Sequence, residues 1–137
     1  MYNQPFVDDL VGTFVFQVTS STITTSFVNK ILVIGADIFV EDVIVETDAT
    51  GLAGATLFQV KKSDTTGNPI IFSESVSNLG ANKTYDLSSA TIKNRSLVAA
   101  GTYIGVLGTA SAGTGTGVAR ITIKYRRTDE NAKLQVV

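Results

Sequence analysis

The 137-residue chain has no cysteine, no histidine and no tryptophan, two prolines, one methionine, and charges at only 17% of its positions. Each shortage excludes something. Without cysteine there are no disulfides, thiolate metal ligands or thiol nucleophiles, and folding is indifferent to the redox compartment. Without histidine the Ser-His-Asp and Cys-His constellations are impossible, and the commonest general base and zinc ligand near neutral pH is missing. Carboxylate pairs, lysine, or Ser/Thr with a lysine base remain for chemistry, and no spacing singles any of them out. A non-enzymatic protein without a cofactor is expected.

Charge of one sign is also lacking. Eleven Lys and Arg stand against twelve Asp and Glu, interspersed, for a net charge of −1. Such a chain has no broad positive field of the kind that non-specific nucleic-acid binding requires. No window approaches the run of about 18 apolar residues that crosses a membrane as a helix. The start Met1-Tyr2-Asn3-Gln4-Pro5 lacks the basic segment and apolar stretch of a secretory signal. The expectation is a soluble chain with neither nucleic acid nor membrane as partner.

What the chain does have is Gly, Thr, Ser and Val. β-Branched residues lose rotamer freedom in helices and pack well on pleated sheets, so this composition favours strands and turns. The clearest strand is 118–126, with Ala119, Ile121, Ile123 and Tyr125 on one face and Arg120, Thr122, Lys124 and Arg126 on the other. Further strands are predicted at 12–19, 30–34, 38–47, 55–62, 69–75 and 102–108, each bounded by turn residues such as Asp64-Thr65-Thr66-Gly67-Asn68-Pro69. Residues 102–108 and 118–126 read as a hairpin with a long small-residue loop, 88–96 as a helical turn or loop, and 97–101 as a loop. A total of about seven or eight short strands, with turns every 8 to 12 residues, predicts an all-β antiparallel sandwich or jelly roll of one domain, 1–137.

Candidate sites follow from residue type. Gly113-Thr114-Gly115-Thr116-Gly117 superficially matches a phosphate loop, but it precedes a strand rather than a helix and lacks the Lys-Ser/Thr that completes one. Asp37, Glu41, Asp42, Glu46 and Asp48 cluster in sequence, yet on a strand Asp42, Glu46 and Asp48 share one face at wide intervals while Glu41 points the other way. Glu74 and Asp86 could be an acid/base pair only if the fold brought two such carboxyls to a defined separation. Tyr2, Tyr85 and Tyr103 could stack on a sugar, and Asn82-Lys83-Thr84 and Asn94-Arg95-Ser96 fit the glycosylation acceptor pattern. Arg120, Lys124, Arg126 and Arg127, with Lys61 and Lys62 as possible neighbours, form a basic set that either guards a sheet edge or meets an acidic partner. The end segments 1–10 and 128–137 carry apolar residues suited to docking. The candidate partner contacts are therefore Phe6, Val7, Arg120, Lys124, Arg126, Arg127, Leu134 and Val136.

The stretch from Leu97 through Tyr103 and Val106, followed by Val118 to Tyr125, resembles the closing strands of small virion proteins of tailed bacteriophages, in particular capsid decoration and head-fibre proteins. The resemblance covers the last part of the chain as a texture of Thr, Gly and Ala. It implies a β-sandwich or jelly-roll module, assembled as a homotrimer, that attaches to a major capsid or other virion protein and is located in the virion after assembly in the host cytoplasm. A glycan- or receptor-binding module of a tail or fibre is the alternative it leaves open.

Overall fold

The computed structural model describes residues 11–23, 28–52, 57–63, 70–88, 92–108 and 116–136. Among them are eleven strands, two short 3-10 turns and no α-helix. The protein is an all-β sandwich of two antiparallel sheets, as its alternation predicts. The first sheet contains β1 (Val11–Thr19), β10 (Val118–Arg127), β3 (Ile38–Thr47), β6 (Thr84–Tyr85) and β8 (Ser96–Val98), the last two both pairing with β3. The second runs β11 (Lys133–Val136), β2 (Val28–Ile34), β9 (Tyr103–Gly108), β4 (Leu57–Ser63), β5 (Ile70–Ser75) and β7 (Ile92–Lys93).

Except at the β4–β5 hairpin, each strand in chain order lies in the opposite sheet from the strand before it. This corrects one expectation. β9 and β10 are not a hairpin: β9 pairs with β2 and β4, whereas β10 pairs with β1 and β3. A chain that alternates sheets sends inward side chains from consecutive strands into one shared core. Val40, Val43, Val45, Ile121 and Ile123 of the first sheet meet Ile31, Val33, Phe58, Val60, Phe72 and Ile104 of the second, all essentially inaccessible to solvent. Phe58 and Phe72 pack edge to face at 6.1 Å, a favoured aromatic geometry.

Two further expectations change. Within 88–96, read as a helical turn or loop, and 97–101, read as a loop, residues 92–93 and 96–98 are short strands, because backbone on β5 and β3 is available to pair with them. The carboxyl-terminal segment is not a free arm: β11 adds to β2, with Ala132 buried and Leu134 packed against the core.

Two aspartates tie down the two ends of β3. At its start the Asp37 carbonyl accepts from the Thr128 amide and hydroxyl, and its carboxylate accepts from the Ala100 amide at 2.9 Å. At its end the Asp48 carboxylate accepts from the amides of Thr50, Gly51 and Val118 at 3.0, 2.8 and 3.1 Å. These bonds to the charged form, the one from Gly51 foremost, hold the Asp48 carboxyl below its ordinary value. Beside it Gly51 has φ +76°, and the Gly117 backbone approaches the Gly51 carbonyl so closely that a side chain at 117 would overlap it. Thus the described end of the glycine-rich loop serves packing.

Candidate functional site

The outer face of the first sheet gathers charged and apolar side chains from several strands. Alternation along β1 sends Val11, Thr13, Val15 and Gln17 outward, and alternation along β10 does the same for Arg120, Thr122, Lys124 and Arg126. Strand register then fixes the cross-sheet rows. Val11, Arg126, Phe39 and Leu97 form one row, Thr13, Lys124 and Asp42 the next, Val15, Thr122 and Ile44 the third, and Gln17, Arg120, Glu46 and Thr84 the fourth.

A β-bulge arranges the acids. Inward positions on β3 are Ile38 and Val40, then Val43 and Val45, so the parity slips at Glu41-Asp42. The ladder to β10 shifts at the same place, opposite Lys124 and Tyr125. The slip turns Glu41 to the outer face, contrary to the expectation that it points away from Glu46. Glu41 pairs with Arg126 at 2.8 Å and Glu46 with Arg120 at 2.9 Å. All four side chains are more than a third exposed, so each pair contributes about 0.2–1 kcal/mol and serves mainly to fix the direction of its arginine. Arg95 donates its Nε to the Glu41 carbonyl, and one Asp42 carboxylate oxygen accepts from the amides of Val43 and Leu87.

Val11, Phe39, Glu41, Asp42, Arg95 and Lys124 line an open groove of about 420 Å³ on this face. Three cations, Arg95, Lys124 and Arg126, stand around it against the two carboxylates Glu41 and Asp42. With Arg126 on Glu41 and Asp42 engaged by backbone amides, Lys124 is exposed and, among the described residues, in no ion pair. Val11, Val15 and Leu97 are 40%, 51% and 49% exposed around it. Apolar side chains interleaved with cations suit a partner surface that is itself apolar and acidic.

The expected contact residues divide. Arg120, Lys124 and Arg126 come together here. Arg127 is half-buried and follows on the inward parity at the strand end, and Lys61 and Lys62 lie on the other sheet, where Lys62 donates to the Leu97 carbonyl at 2.7 Å. Leu134 faces the core, and Val136, 64% exposed, lies on the far edge of the second sheet. Phe6 and Val7 lie outside the described residues, as do Tyr2 and 109–115 of the glycine-rich loop.

Sequence reasoning missed Val11, Phe39, Arg95 and Leu97, which reach the groove through long-range pairing. The parity slip between Val40 and Val43 was the readable signal for Glu41. The other candidates are engaged in the fold. Buried Glu74 accepts from the Ser75 amide and Asn78 Nδ2, Asp86 accepts from Ser88, and Asn94 donates to the Ile70 carbonyl. Lys30 sits 5.5 Å over the Tyr103 ring, on a face that a sugar would need. No group of three or more metal-ligating side chains occurs among the described residues.

No protein-family model, curated protein or solved structure matches this chain.

Proposed function

We propose that the protein is a non-enzymatic structural module of a tailed-phage virion, a decoration or accessory protein that binds the assembled particle through the outer face of its first sheet. The observation that carries this reading is the row Val11–Arg126–Phe39–Leu97 across four strands, with Val11 and Leu97 exposed, Phe39 half-buried between them and Lys124 beside it. Burying those apolar atoms supplies affinity, and the directed cations supply register against an acidic partner. A protein that binds only the assembled state stabilises that state by mass action, which is the task of a decoration module. The resemblance of roughly the last 80 residues to small virion proteins points the same way.

The test is to purify virions of the phage that encodes the chain and look for it by mass spectrometry. It is expected as a stoichiometric component, and virions lacking it should release DNA at a lower temperature. Adding back the wild-type protein should restore the difference, while Leu97→Glu or Lys124→Glu should not. A chain abundant in the lysate but missing from purified virions overturns the reading.

A further inference from the structure

Among the described residues, β1 is the one long strand at the edge of a sheet. Among the described residues its one ladder partner is β10, with nine residues in continuous register and no bulge. The other edge strands are short: two residues in β6 and β7, three in β8, and four in β11, which carries Lys133. Natural edges are blunted by brevity, charge, proline or bulges, because unpaired backbone groups template another strand. The β1 sequence Val-Gly-Thr-Phe-Val-Phe-Gln-Val-Thr contains none of these devices. Apart from buried Val18, its apolar residues are incompletely covered as well. Val11 and Val15 are exposed on the outer face, and Phe14 and Phe16, 6.2 Å apart, pack against the core yet stay only partly buried.

We propose that β1 pairs antiparallel with β1 of a second copy about a twofold axis at Val15, joining two five-stranded sheets into one. The strand is self-complementary in this register. Val15 meets the partner's Val15, Phe14 meets the partner's Phe16, Gly12 meets the partner's Val18 and Val11 meets the partner's Thr19. A register slip of one residue would set inward side chains against outward ones. A slip of two keeps the faces but leaves fewer of the nine residues paired. The assembly is isologous and closes on a twofold axis, so it is even-numbered where the virion-protein resemblance implies a trimer. It stands without the docking reading, since its partner is the chain itself. Because the twofold lies normal to the sheet, it also places two copies of the outer face on one side.

The test is light scattering on the full chain over a concentration series, with Val15→Lys, Val15→Glu and an equimolar mixture of the two. The wild type should be a dimer that dissociates on dilution. Each charged variant should be monomeric with an unchanged circular dichroism spectrum, since Val15 is exposed, and the mixture should recover the dimer. Oxidised Val15→Cys should form a disulfide-linked dimer. Val11→Cys should not, because antiparallel register sets the two Val11 positions roughly 26 Å apart. A wild type that is monomeric throughout, a trimer that Val15→Lys leaves intact, or equal cross-linking at positions 11 and 15 overturns the proposal.

Discussion

Gly12 and Tyr125 face each other across the β1–β10 ladder, and the tyrosine ring lies in the space that a glycine side chain would have filled. The arrangement buries all but 6% of Tyr125 beneath an edge strand that is otherwise thinly covered. A methyl group at position 12 would overlap Cζ and Oη of the ring. Gly12→Ala is therefore expected to destabilise the fold by about 1–3 kcal/mol, the cost of overpacking, despite its favourable effect on backbone entropy. Urea unfolding measures this, and a double-mutant cycle with Tyr125→Ala tests the cause. The two losses should fall well short of additive, because removing the ring frees the space. Strict additivity would mean that the glycine is required for backbone reasons unrelated to the ring.

The long strands were legible because each buries one face, and period-2 alternation records that burial directly. Ile38–Thr47 is predicted to the residue, and β1, β2, β5, β9 and β10 within one or two. β6, β7, β8 and β11 were not legible, since two to four residues carry too little alternation to separate a strand from a loop. The β9–β10 error has a different origin. A small-residue connection can turn back into its own sheet or cross to the other, and local residues do not encode which. The same gap explains the site. The cations of β10 are readable one strand at a time, whereas Phe39 and Leu97 join them only through pairings between distant segments.

The Asp48 carboxylate gives stability a pH dependence confined to acid. Three backbone amides hold its folded-state pKa below the ordinary value, so its contribution is full above the unfolded pKa, about 4. That contribution is lost as pH falls through the depressed folded value. The urea midpoint of Asp48→Ala should lie below that of the wild type by a constant amount from pH 5 to 8, and the gap should narrow below pH 4. Between pH 6 and 8 the wild-type midpoint should be nearly flat, because the chain has no histidine and Asp48 is ionised both folded and unfolded. A gap that widened on acidification would show that the amides do not favour the charged form.

The carboxyl-terminal strand belongs to the fold before it belongs to any partner. Leu134 sits opposite Val33 and packs against the core, while Val136, opposite Ile31, is 64% exposed. Both residues are aliphatic and two positions apart, so their substitutions separate the two roles. Leu134→Ala should cost roughly 1 kcal/mol, about half the value for a fully buried leucine, and Val136→Ser should fall within about 0.5 kcal/mol of the wild type. Deleting residues 133–137 removes the β2 ladder partner along with the Leu134 contact, and should lower the urea midpoint by more than Leu134→Ala alone. Equal midpoints for the full chain and the deletion would mean that β11 contributes no stability, and would return the segment to the role of a docking arm.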